Sequence, residues 1–375
     1  MNVIDGQAGR VRYYSLIFYS LTINNILNII ILLIIAGISI SALTNTGIFQ
    51  KAKEAKQKSD DAALDQNTKL DEYENELDKY LPKQNENSLA KAVKVGDYIE
   101  YKPDKLDDNA LATLKNNLKN YSGASDNTTN SAIARDDSLR WRVLDIDEKT
   151  GAVRLISATP TSSTVTLEGY NGYNNGVKLL DDACSTLYNS KLATKVQNLK
   201  IEDITKHMTT QPTEDTTEYH PKNINYPKIL EQEKNQTVVK STTEQKLEVS
   251  SQSIGVTGYD TSATSTLKNN YWDKTMSAND FDGENKVMYY KLFIINGEEN
   301  YDTYWMSSRC VVAGSGYAGF VVRLVYSGGV YASTLCTSIA NELSYGFAFR
   351  PCITLNSNVQ VTSGDGSEST PFEIK

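Results

Sequence analysis

The sequence predicts an α+β protein in which one long N-terminal helix enters a membrane and carries a head of mixed strands and helices. Three observations predict it. No charged side chain occurs between Ser15 and Leu43, and Ile26 to Leu43 reads ILNIIILLIIAGISISAL. Apolar residues then recur at intervals of three and four, at Phe49, Ala52 and Ala55 and again at Leu70, Tyr73, Leu77 and Leu81. Beyond Pro82 the text changes to short alternating apolar runs broken by Gly, Ser and Asn.

Taking the elements in order, the apolar run exceeds the ~20 residues that a bilayer requires of a helix. This places a membrane anchor at about 26–43. The following three-and-four spacing continues the same helix with only a narrow apolar stripe. Residues 21–81 as one helix would be roughly 90 Å long at about 1.5 Å per residue. Pro82 closes it, and the polar stretch 82–94 reads as a linker. Arg10 and Arg12 precede the anchor and Lys51, Lys53, Lys56 and Lys58 follow it, so charge bias does not orient it.

The head occupies 95–375. Val95 to Tyr101 alternates like a strand, and Leu106 to Leu118 has helical spacing. Trp141 to Asp147 and Ala152 to Ser157 read as the arms of a hairpin turned by Lys149-Thr150-Gly151. Gly176 to Ser190 and Ser190 to Leu199 carry helical intervals. Residues 205–253 are dominated by Thr, Glu, Lys and Gln and read as a polar surface insertion. From Tyr304 to Leu355 strand-like text returns, with Phe347 to Leu355 as the last strand and Trp141 and Trp305 in the core.

One stretch stands apart. From Thr303 to Asn341 there is no Asp, Glu or Lys, in a chain that is 22% charged, and the formal charges are Arg309 and Arg323. Phe320, Val322, Leu324 and Tyr326 alternate with Gly319, Val321, Arg323 and Val325, so both faces of this strand are nearly apolar. Ser327-Gly328-Gly329 turns it back onto Val330 to Leu335. Such a hairpin is core, with Tyr at its rim, or its tip and neighbouring loops form a binding face. Tyr, Ser and Gly are residues that binding loops favour.

Composition excludes several functions. The formal net charge of -8 argues against nucleic acid as a partner. The two His, His207 and His220, sit in a polar stretch and read as solvated loop residues. Cys184, Cys310, Cys336 and Cys352 show no CxxC spacing, which argues against zinc; one disulfide among the last three and buried free thiols both remain open. GxxxxGK[ST], HExxH and GxSxG are absent. Gln211-Pro212-Thr213 lacks the oxygen ligands calcium needs. Asp145/Asp147 and Asp181/Asp182 read as caps rather than catalytic pairs. The expectation is a protein without cofactor, metal or enzymatic activity.

IIILLIIAGISISALTNTGIFQKAKEAK, within Ile29 to Lys58, resembles the N-terminal helix of type IV pilin-like proteins of Gram-positive bacteria. Tyr19 stands where that family's leader ends in Gly, and Asn24 where an acidic residue follows, so residues 1–20 resemble a degenerate leader. Within the head, GDYIEY, WRVLDID, RLIS, GYNNGVKLLDDACSTLY, NLKIEDI, YWMSSR, VVRLVYSGGV and YGFAFRPCITL resemble a C-type-lectin-like domain of unknown function. The resemblance implies a head with two helices and a twisted antiparallel sheet. It also implies a protein held at the cell surface by its membrane helix, with the head outside and other pilin-like subunits as partners. The head would recognise an extracellular glycan or protein in adhesion; the alternative is a minor pilin or pseudopilin serving as a spacer or tip without its own ligand. In relatives of this fold the C-terminal region is sometimes rewritten by a diversity-generating retroelement, and a related fold oxidises cysteine to formylglycine. The candidate ligand contacts are Tyr317, Phe320, Tyr326, Tyr331, Thr334 and Tyr345.

Overall fold

The computed structural model describes residues 88–213, 217–221, 225–227, 259–260, 267–294 and 303–375, all inside the compact unit Gln84–Lys375. The leader-like segment 1–20, the helix 21–81 with its anchor, the first part of the linker and residues 228–253 of the polar insertion lie outside the described residues.

The helices in chain order are α1 (Leu89–Ala92), α2 (Asp108–Tyr121), α3 (Thr128–Ser131), α4 (Gly169–Tyr188), α5 (Ile201–Thr205) and α6 (Lys286–Phe293). The strands of the first half are β1 (Tyr98–Glu100), β2 (Trp141–Ile146), β3 (Val153–Ser157), β4 (Thr164–Glu168), β5 (Ala193–Asn198), β6 (Glu218–Tyr219) and β7 (Tyr226–Pro227). Those of the second half are β8 (Tyr259–Asp260), β9 (Leu267–Lys268), β10 (Lys274–Thr275), β11 (Tyr304–Ala313), β12 (Ala318–Tyr326), β13 (Gly329–Thr337), β14 (Ser344–Phe349), β15 (Pro351–Leu355), β16 (Val361–Ser363) and β17 (Phe372–Ile374).

Seven strands form one sheet in the order β16-β17-β1-β2-β3-β15-β5, and six form another in the order β10-β13-β12-β11-β14-β4. Both are mixed: β1 runs parallel to β17, and β11 parallel to β14. This corrects the expected fold class. The described residues build a mostly β structure of two mixed sheets, not a lectin-like head with one antiparallel sheet and two helices. None of the described helices is long and apolar enough to cross a membrane. Parallel pairs join segments distant in sequence, and local alternation carries no signal for them.

The second correction concerns 190–199. Its helical spacing belongs to β5, which pairs antiparallel with β15 over Pro351↔Asn198 to Leu355↔Ala193. The third concerns the last strand. The expected strand Phe347–Leu355 divides at Arg350, β14 joining the six-stranded sheet and β15 the seven-stranded one. Asn198 bridges the division: its Oδ1 accepts from the Arg350 amide at 2.7 Å, and its Nδ2 donates to the Trp305 carbonyl at 2.9 Å.

α4 is the central element. Asp107 caps α2 through Ala110 N at 2.8 Å, whereas α4 starts directly from β4 and buries Tyr170, Tyr173, Val177, Leu180, Cys184 and Leu187. Gly172 and Gly176 allow that approach, because a Cβ would come within 2.9 Å of Ser122 O at the first and 2.8 Å of Leu167 Cδ1 at the second. Arg350 is fully buried. Its guanidinium donates to the carbonyls of Ser157 at 2.9 Å, Ala158 at 3.1 Å and Leu292, and lies 5.3 Å from the Tyr304 ring centroid. Carbonyls and a ring face thus stand in for the carboxylate that a buried cation ordinarily requires.

The bulge in β11 links the two sheets. Trp305 pairs with Leu324 and Arg309 with Val322, so β11 carries extra residues between them. That detour lets Ser307 N donate to Leu199 O at 2.8 Å and Ser308 Oγ accept from Ile201 N at 2.9 Å.

Candidate recognition site at the ends of the six-stranded sheet

The charge-poor run from Thr303 to Asn341 builds β11, β12 and β13. Phe320, Val322 and Leu324 point toward α4, where Phe320 meets Tyr173 edge-on at 5.5 Å. Arg309, opposite Val322, lies with its guanidinium 4.8 Å from the Tyr173 ring centroid. Val321, Arg323 and Val325 point the other way and are also buried. Neither face of β12 meets water, which explains the absence of Asp, Glu and Lys. An unpaired charge there would carry a desolvation cost of several kcal/mol, and the two arginines escape it through ring faces and main-chain carbonyls.

Exposure is confined to the strand ends. At one end the β11–β12 turn holds Tyr317, 50% exposed. Next to it lies the turn after β13, closed by Thr337 N to Asn341 O at 3.0 Å. Ser338 ties the two turns together, its amide donating to Ala318 O at 2.8 Å and its Oγ accepting from Ala318 N at 2.9 Å. The second turn exposes Ile339 (46%) and, on the returning chain, Leu343 (41%). Three of the five large hydrophobic residues exposed among the described residues therefore lie at this end, the others being Val287 and Tyr326. Ala340, inside the same turn, has φ 68°, a left-handed conformation that costs a non-glycine residue about 1–3 kcal/mol and recurs at ligand-contacting sites. Glu342 follows; partial burial, and then the nearby Glu168, raise its carboxyl.

At the opposite end β12 and β13 join in a two-residue turn with Ser327 at φ 44° and Gly328 at φ 81°, both left-handed as a type I′ hairpin requires. Tyr326 is 54% exposed there and meets Tyr331 edge-on at 6.2 Å. Tyr331 is half-buried, its hydroxyl 3.0 Å from Thr275 Oγ1.

The six candidate contacts do not form one site. Tyr317 and Tyr326 sit at opposite ends of the nine-residue β12, about 30 Å apart at ~3.3 Å per residue. Phe320 is fully buried and belongs to the core. This corrects its assignment as a ligand contact, because its ring is committed to Tyr173 and Tyr226. Thr334 is half-buried in β13, and Tyr345 is half-buried and stacks on Phe347 at 6.1 Å. Ile339 and Leu343 were not legible as contacts: each is a lone apolar residue in polar text, and no periodicity marks either. Tyr326→Ala is expected to change stability by no more than about 0.5 kcal/mol. Tyr331→Ala should lose about 1 kcal/mol with the Thr275 contact. Urea denaturation of both variants checks the pair.

Other chemistry-bearing groups serve structure. All four cysteines are buried free thiols, and burial raises each above its ordinary value. Arg154 pairs with Asp145 at 3.1 Å and Asp203 at 2.6 Å, tying α5 to β2 and β3. Among the described residues no group of three or more His, Cys, Asp or Glu could hold a metal ion. A polar cleft of about 350 Å³ lies beside β1, where Arg140 is engaged by Glu368 at 2.7 Å and by the Tyr98 ring at 4.6 Å, and Arg135 by Asp137 at 2.6 Å.

His207 corrects an expectation. It is not a solvated loop side chain but half-buried, stacked on Tyr289 at 3.8 Å, with Nε2 enclosed and unpartnered. Burial, and then Lys206, push its pKa down to about 4 from 6.5. A histidine kept neutral when folded contributes stability above pH 6.5 that is lost as pH falls through 4. Glu202, pushed up to about 7 from 4.5 by burial, acts oppositely, its contribution present below 4.5 and lost as pH rises through 7. His207→Gln is expected to flatten the loss of melting temperature between pH 6.5 and 4; an unchanged profile would place the titration elsewhere.

Comparison with protein-family models, with curated proteins and with solved structures finds no match.

Proposed function

We propose that this chain is a surface-displayed recognition protein that contacts an extracellular glycan or protein through the Tyr317, Ile339 and Leu343 end of the six-stranded sheet. The observation that carries the reading is the clustering of exposed apolar side chains there, on two hydrogen-bonded turns one of which holds Ala340 at φ 68°. Rigid turns bearing an aromatic and two aliphatic side chains offer contact area at low entropic cost. The ligand surface they fit is mainly apolar and carries no anion beside Glu342, the exposed carboxylate between Ile339 and Leu343.

The apolar run Ile26–Leu43 supports attachment to the cell membrane with the head outside. The full chain is expected to stay with membranes through high-salt and carbonate washes; recovery in the wash would contradict an integral anchor.

Adhesion of cells carrying the full chain to surfaces coated with glycans or extracellular proteins tests the reading. Tyr317→Ala should weaken adhesion by about tenfold or more, the effect of truncating an interfacial aromatic, while Tyr326→Ala should leave it unchanged. A loss with Tyr326→Ala and none with Tyr317→Ala would move the site to the hairpin tip. No adhesion by the parent chain would favour a spacer role.

A further inference from the structure

The face of β12 that carries Arg323 is covered by the chain's own segment 267–276, which runs from β11 across β12 to β13. At Val311, beyond the stretch of β11 that pairs with β14 at Tyr304 and Trp305, Asn270 clasps the strand: Oδ1 accepts the Val311 amide at 2.6 Å, and the Asn270 amide donates to Val311 O at 3.2 Å. Over the middle strand, Arg323 donates to the carbonyls of Asn270 at 2.9 Å and Trp272 at 3.0 Å, its guanidinium 4.7 Å from the Trp272 ring centroid. At the far edge β10 pairs with β13 through Lys274↔Val330 and Thr275↔Gly329, and Met276 N donates to Gly328 O at 3.0 Å.

Most of this recognition reads main chain. Arg323 takes carbonyls two residues apart, the spacing of an extended peptide with both on one side, and β10 adds as an edge strand. The side chains read are an aromatic ring over the guanidinium and the Asn270 amide. The fit is also incomplete. Trp272 Nε1 and Asn269 Oδ1 are enclosed with no hydrogen-bond partner, and enclosed unpaired polar atoms penalise the closed arrangement.

We infer that this face is a groove for an extended peptide bearing an aromatic residue, and that segment 267–276 is its resident occupant, displaced when such a peptide binds. The groove is separate from the loop end proposed above and does not depend on it. Arg323 supplies the fixed main-chain fork, and Val311 of β11 together with Gly329 and Val330 of β13 supplies the flanking pairs.

Two measurements on the full chain in detergent micelles test this. In native-state hydrogen exchange, the Val311 and Asn270 amides should exchange at least tenfold faster than the β12–β13 ladder amides of Val322 and Leu324. Equal protection would make the segment a permanent part of the core and overturn the inference. Next, a fluorescent synthetic peptide of the 267–277 sequence should bind the Trp272→Ala protein at least tenfold tighter than the parent chain. The same peptide with its tryptophan replaced by alanine should fail to compete. A folded Trp272→Ala protein that binds no peptide overturns the inference, and if that variant does not fold the exchange result decides alone. Peptide binding that proceeds only by dissociating a dimer would assign the groove to a second copy's segment and overturn the peptide assignment.

Discussion

Trp305→Ala is expected to destabilise the head by about 3–5 kcal/mol, the range for deleting a buried aromatic. The indole is fully buried, and Nε1 donates to Val165 O at 2.9 Å, holding β4 to the six-stranded sheet. Its ring meets Phe347 edge-on at 4.8 Å. Alanine removes the ring contacts, leaves a cavity and unpairs the Val165 carbonyl in one step. Chemical denaturation of parent and variant measures the difference. A loss no larger than that of Tyr326→Ala would contradict the described core.

Arg350→Met should cost a comparable amount, about 3–5 kcal/mol, for a different reason. Methionine keeps an unbranched apolar stem and removes the guanidinium, so the loss combines the polar contacts with the space the guanidinium filled. The carbonyls of Ser157, Ala158 and Leu292 lose a charged donor at once, and each buried acceptor left unpaired costs about 1–3 kcal/mol. Arg350 also sits where the chain passes from one sheet to the other, so the variant should lower unfolding cooperativity as well as the midpoint. A variant as stable as the parent would show that the guanidinium contributes nothing net.

The parts of the fold legible in the sequence are those decided locally. The β2–β3 hairpin and the β12–β13 hairpin follow from alternation flanking a turn with Gly. Helix α2 follows from the apolar spacing of Leu106 to Leu118. The strand β5 was not legible because Ala193, Val196 and Leu199 lie at helical intervals while its partner, β15, is more than 150 residues away. The three buried arginines were illegible for the same reason. Arg309 depends on Tyr173, Arg323 on Trp272 and Arg350 on Ser157 and Leu292, and a charged residue read alone points to solvent. At the candidate site, composition led to Tyr317 and Tyr326, both exposed, but the strand length that separates them is a property of the folded sheet.

The central claim, that recognition uses the Tyr317, Ile339 and Leu343 end, is tested most directly by equilibrium binding of the full chain to arrayed glycans and extracellular proteins. The parent chain should be compared with the Tyr317→Ser, Ile339→Ser, Leu343→Ser triple variant, with melting recorded for both. The predicted result is saturable binding to at least one arrayed molecule by the parent and its loss in the triple variant at an unchanged melting temperature. Binding retained by a folded triple variant, or none by the parent chain, would contradict the claim.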